Sequence, residues 1–117
     1  MDQRLKKALE MSNYIATLNS QKQLANDKFQ ESLVLYHSGS PITITPELIA
    51  FCTALVSSGE TETVIVDNNN SPVAITELGD FADKILEIYS KATKEFLETT
   101  NNLKTQRSVE KLIEYEQ

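Results

Sequence analysis

The sequence predicts an α+β fold that is mostly α. Two long antiparallel helices, paired in a coiled-coil-like manner, flank a small head of one short helix, one short β-strand and a β-hairpin. Residues 2–38 and 78–116 indicate the long helices, because both lack proline and carry apolar residues at helical spacing. Residues 40–77 indicate the head, because they contain short β-branched runs separated by turn residues. We expect the 117 residues to form a single domain.

The first long segment, residues 2–38, has the composition of a helix. It is rich in Leu, Ala, Lys, Gln and Glu, which lose little conformational entropy in a helix. We expect this helix to include His37 and to end at Ser38 and Gly39. Its predicted seam follows three- and four-residue steps, with Lys22 filling one place, through Met11, Ile15, Leu18, Ala25, Phe29 and Tyr36.

The last segment, residues 78–116, carries the strongest periodic pattern in the chain. Its seam positions alternate four- and three-residue steps: Leu78, Ala82, Ile85, Tyr89, Ala92, Phe96, Thr99 and Leu103. This pattern favours a coiled-coil-like contact with the first helix. If Tyr36 lies near Leu78, the expected pairs are Leu18 with Phe96, Met11 with Leu103 and Arg4 with Glu110.

The head begins with a strictly alternating run from Pro41 to Thr45, which predicts a strand with one apolar face. Thr45, Pro46 and Glu47 then have the character of a helix N-cap, a first-turn proline and an acidic first-turn residue. We expect the short helix to end at Gly59 and to pack on the sheet. Its predicted apolar face contains Leu48, Phe51, Cys52 and Leu55.

The run TVIVDNNNSPVAI, residues 63–75, has two interpretations. The side-chain oxygens from Asp67 to Ser71 resemble the start of a calcium loop, but Pro72 stands where that loop needs glycine and Leu78 where it needs a bidentate glutamate. The alternative is a β-hairpin with a four- or five-residue loop, because asparagine tolerates positive φ. We favour the hairpin, with Pro72 beginning the second strand or lying on an edge.

The net charge of −6 lies in one half of the chain. Residues 1–59 carry five basic and five acidic side chains, whereas residues 60–117 carry six and twelve. Such an acidic half repels a phosphate backbone, so we expect no direct nucleic-acid binding. No apolar run approaches the roughly 20 residues that cross a bilayer, and MDQRLKKALEM turns polar too soon for a secretory signal. We therefore expect no membrane association and a cytoplasmic protein, in the host cytoplasm if it is viral.

The sequence offers no pattern that indicates an enzyme. Cys52 lies on the predicted apolar face of the short helix, where a buried and inert thiol is expected. A nucleophilic cysteine needs a base, and the only imidazole, His37, belongs to another element. One cysteine and one histidine do not make a zinc site. We therefore expect no enzymatic activity and no catalytic, cofactor-binding or metal-binding residue.

The architecture predicts association, because two long helices bury little core of their own. Apolar residues outside the seams would be partly exposed in a monomer, and such patches usually mark contacts. We expect a homo-oligomer, with a dimer as the first expectation, or a subunit of a larger assembly. The expected contact residues are Leu9, Leu24, Leu33, Phe81, Ile88, Val109 and Leu112.

The order helix, TVIVDNNNSPVAI hairpin, helix is similar in layout to the β-type prefoldin subunit, although residues 42–59 add a strand and a helix. The Lys-, Ile- and Asn-rich composition, with LGDF at 78–81 after the hairpin, also resembles small uncharacterised proteins of T4-like tailed phages. The architecture itself predicts a non-enzymatic scaffold or assembly protein. The alternative is a prefoldin-like holdase chaperone that binds apolar client segments at the helix ends, through Leu5, Ala8, Leu9, Val109 and Leu112.

Overall fold

The computed structural model describes residues 2–116, with side chains described for residues 2–105. The elements in chain order are α1 (Gln3–Ser32), β1 (Val34–His37), β2 (Ser40–Thr43), α2 (Pro46–Ser57), β3 (Thr63–Val66), β4 (Pro72–Ile75) and α3 (Leu78–Glu116). The predicted fold class is confirmed: two long helices flank a short helix and small antiparallel β-structure.

The chain divides into two compact units. Unit 1 consists of Met1–Lys28 and Glu95–Gln117, which are the first part of α1 and the second part of α3, running antiparallel. Unit 2 is Phe29–Lys94 and holds the end of α1, both β-hairpins, α2 and the start of α3. The assignment of the whole chain to one domain stays a prediction.

The first helix is shorter than predicted, because α1 ends at Ser32 and not near residue 38. Residues 34–37 instead form β1, which pairs with β2 as an antiparallel hairpin in a register that places His37 opposite Ser40. The two-residue turn between the strands has φ of 51° at Ser38 and 82° at Gly39, as a type I′ turn requires. Ser38 and Gly39 are therefore a hairpin turn and not a helix stop. The error has a physical cause, since the β-branched and aromatic residues of β1 gain cross-strand partners that helix propensity does not reveal.

The predicted caps of the short helix are confirmed. Thr45 accepts a hydrogen bond at Oγ1 from the Leu48 N–H at 3.1 Å, and Pro46 occupies the first turn, where its missing N–H costs nothing. At the other end, the Glu60 N–H donates to the Leu55 carbonyl and the Gly59 N–H to the Val56 carbonyl, each at 3.0 Å. Gly59 has φ of 89°, so this is a Schellman motif.

The predicted hairpin in TVIVDNNNSPVAI is also confirmed. β3 and β4 pair antiparallel across the five-residue loop 67–71, with Pro72 as the first residue of β4. The Asp67 N–H donates to the Ser71 carbonyl at 2.9 Å, which makes 67 and 71 a hydrogen-bonded pair. Because such pairs alternate along an antiparallel ladder, Pro72 opposite Val66 falls at a non-hydrogen-bonded pair and costs no ladder bond.

The core of unit 2 joins the two hairpins, α2 and the start of α3. Alternation along the strands supplies its inward side chains, whereas the exposed Thr43 and Ala74 lie on the other faces of their strands. The buried core cluster consists of Ile42, Ile44, Cys52, Ile65, Val73, Ile75, Leu78, Phe81 and Ile85.

The burial of α3 follows its predicted seam. Leu78, Ile85 and Ala92 are buried, and the seam positions between and beyond them are half-buried as far as Leu103. Thr99 is the exception, because its side chain is exposed. The four-and-three spacing therefore identified the inward side of this helix.

The seam of α1 is only partly as predicted. Leu18 is buried, and Ala25 and Phe29 are half-buried, but Ile15 is exposed while Tyr14 is half-buried. Tyr14 precedes Leu18 by four residues, which places both on one side of the helix.

Tyr36 does not extend the seam, because it lies in β1 with an exposed side chain. The expected helix register assumed that Tyr36 is a seam residue of the first helix, and that assumption is wrong. The pairs Leu18 with Phe96 and Met11 with Leu103 stay predictions, and the side chain of Glu110, the expected partner of Arg4, lies outside the described residues.

Candidate functional site

The asparagine-rich loop is built around a buried carboxylate. Asp67 Oδ1 accepts hydrogen bonds from the Asn69 N–H at 2.8 Å and from the Ser71 N–H at 2.9 Å. The Asn70 N–H donates to the Asp67 carbonyl at 3.1 Å, and Asn70 has φ of 61°. The carboxylate thus replaces the backbone partners that a turn leaves missing, and Asn tolerates the left-handed conformation.

The neighbouring Asn68 fastens this loop to the first hairpin. Its N–H donates to the Pro41 carbonyl at 2.8 Å, and its Oδ1 accepts from the Thr43 N–H at 3.2 Å and the Thr43 hydroxyl at 3.0 Å. Pro41 and Thr43 present these groups on the edge of β2 that faces away from β1. Asn68 therefore pairs with β2 as an added strand residue would, with its side-chain oxygen in place of a backbone carbonyl. The loop 67–71 therefore joins the second hairpin to the first, and we call it the loop clasp.

The hydrogen bonds of Asp67 are also relevant to the alternative that this loop binds calcium. Asp67 directs Oδ1 at two backbone N–H groups, so that oxygen already has partners within the loop. Over the residues that the structure describes, no three or more His, Cys, Asp or Glu side chains come together as metal ligands would.

Cys52 lies within the core cluster of unit 2, whereas His37 lies against one of its members, Phe81. Cys52 is completely buried in the core cluster, and burial raises the pKa of its thiol above the ordinary value, because the thiolate is poorly solvated there. The predicted buried thiol is therefore confirmed. The His37 ring, at the end of β1, instead makes an edge contact with Phe81, with ring centroids 5.6 Å apart.

Exposed apolar side chains occur along α1 in unit 1. Leu5 and Leu9 lie one helical turn apart, as do Met11 and Ile15, and all four are exposed. Leu24, near the end of the first segment of unit 1, is 68% exposed. A helix in a well-packed single chain normally buries such residues, so these side chains are candidate contacts; we call them the α1 surface, although they lie on more than one side of the helix.

A second apolar surface lies in unit 2, at an open groove between α2 and β3 that Ile42 and Thr43 of β2 also line, with a volume of about 460 Å³. Its exposed apolar side chains are Phe51, which is 48% exposed, Val64 at 60% and Val66 at 65%. We expected Phe51 to pack on the sheet, but it lies on the side of α2 that lines the groove and is partly exposed to solvent. Neither valine was predicted as a contact residue. The signal was available, because a strand that buries Ile65 directs both flanking valines to its other face.

The expected contact residues differ in how exposed they are in the structure. Leu9 and Leu24 are exposed, so both remain available for association. Leu33 and Phe81 are buried within the single chain, and the expectation that they would be partly exposed is wrong: the β1–β2 hairpin gave unit 2 a larger core than one strand provides. Ile88 is half-buried against that core. The side chains of Val109 and Leu112 lie outside the described residues.

The two units differ in net charge as the two halves of the sequence do. Unit 1 carries eight acidic and eight basic side chains, and unit 2 carries nine and three, so the net charge of −6 belongs to unit 2. Residues 29–83 contain no Lys or Arg at all. Any surface in that stretch is therefore set in a negative field.

Comparison of the chain with protein-family models, curated proteins and solved structures gave no match. The resemblances to β-type prefoldin subunits and to proteins of T4-like phages stay predictions. Among the helices as far as the structure describes them, none has the length and apolar character that a membrane span requires.

Proposed function

We propose that this protein is a non-enzymatic assembly module that associates with copies of itself through α1 in unit 1, with a dimer as the first expectation. The observation that carries the proposal is the set of exposed apolar side chains along that helix, from Leu5 to Leu24. Fully burying one leucine side chain contributes about 1.5–3 kcal/mol, so a few such residues suffice for a specific contact. The cytoplasm is the proposed location.

Electrostatics supports self-association through unit 1 over unit 2. Two copies of a unit with eight charges of each sign experience little net repulsion. Two copies of unit 2, each with a net charge of −6, repel one another at low ionic strength. The apolar side chains of α1 therefore lie where copies can approach.

Multi-angle light scattering at tens of micromolar tests the proposal, and we expect a mass of at least twice the 13.1 kDa of one chain. Replacing Leu9 and Leu24 with Gln should return the protein to monomer, because both leucines lose their apolar surface while the helix keeps a good helix former. The matched control replaces the exposed Ser12 and Ser20 of the same helix with Gln and should leave the mass unchanged. A compact wild-type monomer contradicts the proposal.

A second candidate function is a holdase chaperone that binds apolar client segments near the start of α1. The exposed pair Leu5 and Leu9 favours it. A client-aggregation assay separates the two functions: a holdase suppresses light scattering by a heat-denatured enzyme, and replacing Leu5 and Leu9 with Gln abolishes that suppression. An assembly module leaves the client's aggregation unchanged while it still forms oligomers.

A further inference from the structure

We infer that the groove between α2 and β3 in unit 2 binds an extended, basic segment of a partner protein, which adds a strand to the open edge of β3. This site is distinct from the α1 surface and does not depend on it. Three observations carry the inference: the open backbone edge of β3, the apolar walls of the groove and the absence of Lys and Arg from residues 29–83, the stretch that forms it.

The backbone edge follows from the hairpin register. Because 67 and 71 form a hydrogen-bonded pair, 65 with 73 and 63 with 75 do as well. Val64 and Val66 therefore direct their N–H and C=O groups away from β4. Within the described residues, β3 pairs with no strand other than β4. The edge thus offers the alternating donors and acceptors that an added strand requires.

The groove beside this edge would hold the side chains of the added strand. Its lining includes Val64 and Val66 on the β3 side and Leu48 and Phe51 on the α2 side. Asn68 closes one end, where it bonds to β2. β3 spans about 13 Å at roughly 3.3 Å per residue, which matches about four residues of an extended peptide.

The charges around the groove indicate which kind of segment would bind there. Glu47 lies in the groove lining, and Glu62 immediately precedes β3. With no Lys or Arg from residue 29 to 83, a strand carrying Lys or Arg between apolar residues complements the site. A second copy of β3 would bring its own acidic neighbours and is disfavoured, as is an acidic peptide or a nucleic acid.

The probe is a short capped peptide in which lysine alternates with valine, added to the full chain and followed by amide chemical shifts in NMR spectra. We expect saturable shifts at Val64 and Val66, weakened by added salt. The same peptide with glutamate in place of lysine should not bind. Equal binding of the glutamate peptide, or shifts confined to unit 1, overturns the inference.

Proline substitutions test the backbone edge, because Val64 and Ala74 are opposite one another and neither N–H is used between β3 and β4. Val64→Pro removes a donor from the groove edge and should weaken the lysine peptide at least about tenfold. Ala74→Pro removes the equivalent donor from the other edge and should change affinity less than about twofold. Equal losses in the two variants contradict strand addition.

Two further variants separate the alternatives. Phe51→Gln leaves the strands untouched and should weaken the peptide several-fold through the groove wall, so the inference remains testable if a proline variant misfolds; unchanged affinity contradicts the proposed site. The variant with Gln at Leu9 and Leu24 should bind the peptide as the wild type does, which separates this site from self-association. If Val64→Pro lowers the oligomer mass without peptide, the groove holds a second copy and the inference fails.

Discussion

Unit 1 and unit 2 are stabilised in different ways. Unit 2 encloses a core that draws on two hairpins, one short helix and the start of α3, and polar groups fasten its loops. In the described part of unit 1, Leu18 is the one buried residue, and the helices carry exposed apolar side chains. Unit 2 therefore has the means to be stable within a single chain, whereas unit 1 leaves exposed the apolar side chains on which the proposed self-association rests. The comparison shows that a long helix with regularly spaced apolar residues does not necessarily bury them in a core of its own chain.

The largest expected effect is in the core of unit 2. Ile85→Ala should lower the free energy of unfolding by about 3 kcal/mol, because Ile85 is completely buried and its loss leaves a cavity. The control is Leu86→Ala at the next, exposed position, which should cost less than about 0.5 kcal/mol. Denaturant unfolding followed by circular dichroism measures both.

The corresponding change in unit 1 sharpens the comparison. Leu18→Ala should cost about 2 kcal/mol, at the low end for a buried leucine, because Leu18 is the one buried residue in the described part of unit 1 and its surroundings can relax into the space. The alkylation rate of Cys52 in unit 2 separates the units. We expect that rate to rise with Ile85→Ala and to stay at the wild-type value with Leu18→Ala, since only the first change loosens the core around the thiol. Equal acceleration in both variants would show that the units open together.

The loop clasp should have the next largest effect. Asp67→Ala removes the acceptor for two backbone N–H groups and should cost about 2 kcal/mol, measured by denaturant unfolding. Asp67→Asn keeps an oxygen in that place and should cost about half as much. If alanine and asparagine are equally harmful, the negative charge matters more than the two hydrogen bonds.

The N-cap of α2 should contribute less. Thr45→Ala should cost about 1 kcal/mol, because the Leu48 N–H loses its side-chain acceptor. Thr53 is exposed in the same helix, and Thr53→Ala is the control, with an expected cost near zero or a slight gain in stability. Thermal unfolding of the two variants in parallel compares them, and a Thr45 variant as stable as its control would exclude a capping role.

The smallest effect is a pH dependence. Burial raises the pKa of the Cys52 thiol in the folded state, so the folded protein holds this proton more tightly than the unfolded chain does. The resulting stabilisation is fully present below the ordinary thiol pKa of 9.0 and is lost as the pH rises through the higher folded value. Cys52→Ala should show a shallower decline in stability above that pH, and parallel declines would contradict the assignment.

Several features of the fold were available in the sequence because they are local. The cap at Thr45 and the stop at Gly59 act over a few residues, and the hairpin around Asp67 follows from turn chemistry and strand alternation. The repeating steps of α3 identified most of its inward residues, although Phe81 is buried outside the seam and Thr99 is exposed within it. The exposure of Leu9 and Leu24 was also predictable from their place outside the seam, whereas their role as contact residues stays a prediction.

Only tertiary structure decided the rest. Residues 34–37 contain good helix and strand formers alike, and they became β1 because β2 supplies cross-strand partners and the Ile44 N–H reaches the Leu33 carbonyl at 2.7 Å. The same hairpin brings His37 of β1 into contact with Phe81, and both Leu33 and Phe81 are buried. The open edge of β3 beside α2 likewise depends on which strands pair. Local propensity is set by neighbours in the chain, whereas strand pairing and burial depend on residues that meet only after folding.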